Sequence, residues 1–238
     1  MKLWVRAFLI FPILFASACS GTRRMPDFQM SQEDLKNPEK LISSACSLGR
    51  KASRVDGVVS MKVKSTESSG QFPADVAADA TGKLRMEITN LIGGTEAVIT
   101  VDQGNYKIEV PGKPEQTERG SGIWAGIPLR WAPNLFLGRI PCPDKIAVDG
   151  KSLQQPGIVQ LKTEAGVQGD AETYIFRWNL KEPAPFPDSL TWERAGTFAQ
   201  KVDFKFEEFD PETQGPKRWE ARSSQGEVKV RWKNRKIK

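Results

Sequence analysis

The chain has 238 residues, enough for one good-sized domain with a proper core, and its seven Trp and twelve Phe supply bulky apolar material to fill it. The formal net charge of +6 is too mild to argue for nucleic acid as a partner. There is no histidine, which excludes His-based triads, His-ligated zinc and imidazole acid/base chemistry.

Residues 1–18 place Lys2 and Arg6 around a short apolar run, Ala7 to Phe15, followed by the small residues Ala16, Ser17 and Ala18 directly before Cys19. The run is too short to cross a bilayer as a stable helix, so it reads as a secretory leader. Phe-Ala-Ser-Ala-Cys resembles the bacterial lipobox, with Ala16 where that motif usually has Leu. The resemblance implies a lipoprotein signal peptide over 1–18 and a Cys19 that is diacylated on sulfur as the mature N-terminus. Ser20 in place of Asp implies, by the same resemblance, delivery to the outer membrane. Without Lys2 and Arg6 the chain carries 33 basic against 29 acidic residues, a net +4 that suits a soluble domain visiting an anionic surface. Residues 19–36 then form the lipidated Cys and a flexible tether, and 37–238 a single domain. Cys46 and Cys142 are left over. They could pair in an oxidising compartment, but spacing alone does not bring two cysteines together.

Asn37-Pro38-Glu39 is a helix start, with a capping residue, Pro at the first helical position and an acid in the first turn. Leu41, Ile42, Ala45, Cys46 and Leu48 follow at helical spacing, and Gly49 can end the helix. Val55 to Lys64 and Phe72 to Ala80 read as strands. In Leu84 to Val101, Leu84, Met86 and Ile88 alternate with polar residues, and Ala97, Ile99 and Val101 repeat the period-two pattern. Between these two strands stand Asn90-Leu91-Ile92-Gly93-Gly94, two large aliphatics at a tip where turns usually carry small polar residues. Either Leu91 and Ile92 tuck back into the core, or they project and touch lipid. Asn105 to Val110 continues an antiparallel meander.

From Gly120 the pattern breaks. Trp124, Ile127, Leu129, Trp131, Leu135, Phe136 and Leu137 fall in a window interrupted by Pro128 and Pro133, which reads as short helical turns carrying aromatics. They form a packed plug or a lid over a barrel mouth. Strands resume at Lys145 to Val148, Gly157 to Thr163, Tyr174 to Leu180, Ser189 to Arg194, Phe198 to Phe209, Lys217 to Ala221 and Val228 to Ile237, as expected for one large curved antiparallel sheet. In the last strand Lys229, Arg231, Lys233 and Arg235 alternate with Val228, Val230 and Trp232. That makes one face cationic, either merely solvated on an edge strand or attracted to anionic head groups. The densest carboxylate cluster, Asp203, Glu207, Glu208 and Asp210, has Asp203 and Glu207 opposite Val202, Phe204 and Phe206, the pattern of a solvated face. No nucleophile elbow, phosphate loop or metal-ligand spacing occurs, so no catalytic residue, metal or cofactor is expected.

Arg85 to Glu96 carries Arg-x-x-x-Thr-Asn-x-aliphatic-Gly-x-Thr-Glu. Gly126-Ile127-Pro128-Leu129 is followed by LFLGRIP from Leu135 to Pro141, and a Phe-Asp-Pro-Glu-Thr turn starts at Phe209. With the lipobox, this order resembles the LolB lipoprotein-receptor family and, more broadly, the LolA/LolB-like half-open barrels. The resemblance implies a mainly β fold, a half-open antiparallel β-barrel closed by short helices. It implies an outer-membrane acceptor, a monomer on the periplasmic face, that takes the acyl chains of lipoproteins from a periplasmic LolA-like carrier and releases them into outer-membrane lipid. It also implies that the aliphatic before the loop glycine is exposed and needed for insertion. That makes Leu91, Ile92 and Gly93 the membrane-inserting loop, with Leu91 where the family often has Pro.

Carrying a multi-chain anchor through water costs tens of kcal/mol, at roughly 0.8 kcal/mol per methylene, and an apolar interior removes that barrier. Val63, Met86, Ile88, Ile99, Ile108, Trp124, Trp131 and Phe136, on apolar strand faces or in the lid, are the expected lining. The competing expectation is a structural envelope lipoprotein with no lipid cargo.

Overall fold

The computed structural model describes residues 30–65, 69–90, 92–124, 127–143, 155–163, 171–181, 184–196 and 199–238. The leader, Cys19, Leu91 and the strand expected at Lys145 to Val148 lie outside the described residues. A 3-10 turn, Asp34–Lys36, buries Leu35 and leads into α1 (Pro38–Ser47). The start of α1 follows from its first residues: the Asn37 side chain accepts the Lys40 amide at 3.0 Å, and Pro38 occupies the first turn. Leu41, Ile42 and Ala45 form its buried stripe. Gly49, at φ +66°, turns the chain away after it.

Six strands follow as a meander: β1 (Arg54–Ser65), β2 (Ser69–Asp79), β3 (Lys83–Thr89), β4 (Thr95–Asp102), β5 (Asn105–Val110) and β6 (Lys113–Ser121). A small hairpin, β7 (Ile123–Trp124) and β8 (Ile127–Pro128), runs into a 3-10 turn, Leu129–Trp131, and α2 (Ala132–Phe136). A second meander completes the chain with β9 (Ile158–Lys162), β10 (Glu172–Arg177), β11 (Ser189–Arg194), β12 (Gln200–Asp210), β13 (Gly215–Arg222) and β14 (Gly226–Ile237). Among the described residues the two meanders make one twelve-stranded sheet in the order β6-β5-β4-β3-β2-β1-β14-β13-β12-β11-β10-β9. Every pairing in it is antiparallel. The first and last strands meet at its centre, from Val55 opposite Ile237 to Ser65 opposite Gly226. Among the described residues β6 and β9 stand at the ends of the ladder, so the sheet is open, in keeping with the half-open barrel that the resemblance implies.

One face of this sheet is the core. Alternation puts Leu84 and Met86, Ile99 and Val101, Val202, Phe204 and Phe206, and Val228, Val230 and Trp232 inside. The prolines that forbid a long helix between residues 120 and 141 place Pro133 in the first turn of α2, where the missing N–H costs nothing.

Three readings of the sequence are corrected. The meander has a sixth strand, β6, which the sequence conceals: Lys-Pro-Glu-Gln-Thr-Glu-Arg is polar on both faces, as an edge strand can be. β14 is not an edge but the middle of the sheet. Its cationic alternation also breaks. Val59 pairs with Trp232 and Val58 with Asn234, so Lys233 is an extra residue, and this bulge turns Arg235 from the outer face to the inner one. Gly57 permits it, because a Cβ there would collide with the Asn234 carbonyl. Finally, β10 begins before Tyr174 and ends at Arg177, three residues short of Leu180.

Candidate functional site

The turn between β3 and β4 is stapled from within. Asn90 Oδ1 accepts the amides of Ile92 at 3.2 Å and Gly94 at 2.8 Å. The Asn90 amide donates to the Gly94 carbonyl at 2.9 Å, and the Gly93 amide donates to the Asn90 carbonyl at 3.1 Å. Gly93 sits at φ +87°, a conformation that L side chains adopt only at a cost. Among the described residues the loop is therefore held by the Asn90 side chain and its own backbone. Ile92 is 93 % exposed, and among the described residues Leu180 is the other large hydrophobic left outside. Beside Ile92 lies an open groove of about 460 Å³ bordered by Gly70, Phe72, Pro73, Thr89 and Asn90.

The inner face of the sheet is roofed by the segment Leu129–Phe136. Under it is a cavity of about 50 Å³ whose facing atoms are all apolar, lined by Met61, Leu84, Met86, Ile99, Phe136 and Trp219 among others. That is about a third of the ~150 Å³ apolar cavity that admits benzene. The roof fills the rest. Trp131 meets Trp192 edge-on at 5.0 Å between ring centroids and Phe204 at 5.7 Å. Phe136 meets Trp219 at 5.6 Å and Trp232 at 5.9 Å. Such pairs contribute about 0.5–1.5 kcal/mol each beyond their area burial.

The roof is tied at both ends. Arg130 Nη2 donates to both carboxylate oxygens of Glu172, at 2.7 and 2.8 Å, and its guanidinium lies 4.8 Å from the centre of the Trp131 ring. Tyr174 also donates its hydroxyl to Glu172, at 2.6 Å. Burial would raise the Glu172 carboxyl, but these bonds outweigh it and hold it below the usual carboxylate range. At the other end Arg139 donates Nε to the Gly49 carbonyl at 3.2 Å and Nη2 to the Ala52 carbonyl at 2.9 Å. Cys142 is joined to Cys46 of α1 by a disulfide, Cα–Cα 5.9 Å. Beneath this end the inward Arg235 pairs with Asp210, both side chains nearly fully buried. Burial pushes the Arg235 guanidinium down to about 10, so it stays charged at neutral pH.

The expected lining residues divide. Met86, Ile99, Ile108 and Phe136 border the cavity. Val63 is buried away from it, Ile88 is half-buried toward the Ile92 end of β3, and Trp131 belongs to the aromatic cluster on β11 and β12. The Trp124 side chain and Leu91 lie outside what is described. The carboxylates of β12 are engaged: Asp203 accepts from Thr191 at 2.8 Å, Glu207 pairs with Lys205 and Arg218, and Glu208 with Arg231 and Arg218. On the outer face of β14, Lys229 is paired with Glu220 and Glu227, which leaves less net charge there than the bare alternation suggests.

Sequence reasoning missed Asn90 as the staple, although an Asn two residues before Ile92 is a recognisable side-chain turn. It also missed Arg130 with Glu172, a pair with no local signature across 42 positions.

No protein-family model matches the chain, and no curated protein matches it. Solved structures similar to it include a LolA superfamily protein from Nitrosomonas europaea, 10 % identical, TM-score 0.47, covering 84 % of this chain and 93 % of that one. An outer membrane lipoprotein-sorting protein domain from Vibrio parahaemolyticus is 6 % identical, TM-score 0.43, over 87 % of this chain and 94 % of that one. The lipoprotein LppX from Mycobacterium tuberculosis is 13 % identical, TM-score 0.33, over 84 % and 94 %.

Proposed function

We propose that this chain is a lipid-anchored acceptor of acyl chains, tethered through Cys19 to the periplasmic face of the outer membrane, which takes lipoproteins from a LolA-like carrier and passes their chains to the bilayer. The observation that carries this reading is Ile92, 93 % exposed on a loop whose turn Asn90 staples with its side chain. A soluble partnerless loop gains nothing from such a residue, whereas burying an isoleucine in acyl chains is worth about 1.5–3 kcal/mol. The apolar cavity beneath a short roof supports the acceptor half of the reading. Transfer on this scheme needs a gradient of affinity from carrier to acceptor to bilayer and no bond-making step.

The test uses protein lacking residues 1–19, so that binding cannot come from the lipid anchor. Ile92→Glu is expected to leave thermal unfolding unchanged and to weaken sedimentation with phosphatidylethanolamine/phosphatidylglycerol vesicles by about ten- to a hundredfold. Unaltered vesicle binding would remove the loop from the scheme.

A second reading, an envelope scaffold with no lipid cargo, is favoured by the small size of the cavity, about 50 Å³. Displacement of a fluorescent fatty acid separates the two: saturable displacement at micromolar protein supports the acceptor, and none supports the scaffold.

A further inference from the structure

The connections of an antiparallel sheet alternate between its two rims. The turn that carries Ile92 joins β3 to β4 on one rim, beside the end of β1 and the start of β14. The opposite rim takes the start of β1, the end of β14, the end of β10 and the start of β9. Leu180, 48 % exposed and the second large hydrophobic left outside among the described residues, lies three positions beyond β10 and so on that opposite rim. Each of the two aliphatics sits on a turn stapled by an asparagine: Asn179 Oδ1 accepts the Lys181 amide at 3.0 Å, as Asn90 Oδ1 accepts that of Ile92. The segment ahead of α1 is bound to the Leu180 rim. The Gln32 side chain donates to the Leu180 carbonyl at 3.2 Å, and the Gly157 amide donates to the Leu35 carbonyl at 2.9 Å. One side of Leu180 rests on Gly157, where a Cβ would strike its Cδ2 atom.

Met30, where the described chain begins, packs against the core two positions before Gln32, so the chain joins the body at the Leu180 rim. Cys19 is eleven positions further back. A flexible chain of that length spans roughly 17–20 Å on average and at most about 40 Å, while β1, with twelve residues, runs about 36–40 Å from rim to rim. We infer that the Leu180 rim is a foot: in the anchored protein Leu180 and Lys181 rest on the leaflet that holds the Cys19 acyl chains, and Ile92 stands at the far end of the body, turned to the periplasm. The inference rests on the acceptor reading for its lipidated Cys19 and extends it. An aliphatic beside a lysine suits that surface, since the leucine enters the acyl boundary and the lysine meets anionic head groups. The foot also divides transfer into two poses. The Ile92 rim is first presented where a carrier can approach, and it reaches the anchor's own leaflet only when the body tips over on a tether close to full stretch.

The test uses the full chain, lipidated at Cys19 and reconstituted into phosphatidylethanolamine/phosphatidylglycerol vesicles. Leu180→Cys and Ile92→Cys are labelled separately with an environment-sensitive fluorophore, while Cys46 and Cys142 are held in their disulfide and do not react. Quenching by lipids spin-labelled in the acyl chain is expected to be at least about fivefold stronger at position 180 than at position 92. Equal quenching at the two positions, stronger quenching at 92, or none at 180 overturns the foot, as does a Cys19 found unacylated by mass spectrometry. In the Ile92→Cys protein lacking residues 1–19, which no tether orients, the label should be quenched when vesicles are in excess. A label at 92 that stays silent in both proteins, with strong quenching at 180, leaves the foot standing and removes the Ile92 loop from the acceptor reading. The expected quenching pattern with no displacement of a fluorescent fatty acid likewise supports the foot and removes the acceptor.

Discussion

Glu172 shows how a single side chain can be tuned against its surroundings. Burial disfavours its charge, yet Tyr174 and Arg130 hold it ionised, so its folded pKa lies below the usual 4.5. A carboxyl depressed on folding contributes stability above its unfolded value and loses it as pH falls through the folded value. The gap in unfolding free energy between wild type and Glu172→Gln, read from urea titrations, should therefore be full at pH 7 and shrink below about pH 4. Ile92 and Arg235 mark the limits of what single residues disclose in a sequence. The exposed isoleucine was legible as a turn with the wrong composition, although the alternative of tucking inward could be settled only by the Asn90 bonds. Arg235 looked like the fourth member of a solvated row, and a one-residue bulge at Lys233 reversed it. Strict alternation predicts a face only while register is unbroken.

At the scale of elements, strands with a clear period of two were found within a few residues of their true ends. α1 was readable from its cap, its proline and its closing glycine. β6 was not, because an edge strand wet on both faces leaves no periodic trace. The disulfide was left open by the sequence, since two cysteines 96 positions apart say nothing of proximity. The structure joins through it α1 and the segment that follows the roof. Closing so long a loop restricts the unfolded chain, and losing the bond should cost about 2–5 kcal/mol. Paired Cys46→Ser and Cys142→Ser substitutions are therefore expected to lower the urea midpoint while leaving the amide bonding of β1 and β14 unchanged by infrared spectroscopy.

The whole molecule is two meanders sewn together along one line, β1 against β14. The fold class was legible because antiparallel strands with short connections leave few alternatives. The strand order was not, since pairing between the ends of a chain has no local signature. Removing β14 takes away the neighbour of both β1 and β13 and exposes Val55, Val59 and Met61, which are buried in the full chain. A chain ending at residue 225 is expected to show no sigmoidal urea transition by tryptophan fluorescence, whereas the full chain should unfold in one. The same seam has a consequence for biosynthesis. Roughly 160 residues separate the end of β1 from the start of β14, and at 5–20 residues per second a ribosome needs about 8–30 s to make them. Throughout that interval the nascent chain carries an uncapped, sticky ribbon border. A holding chaperone is the natural protection against aggregation until the twelve residues of β14 arrive.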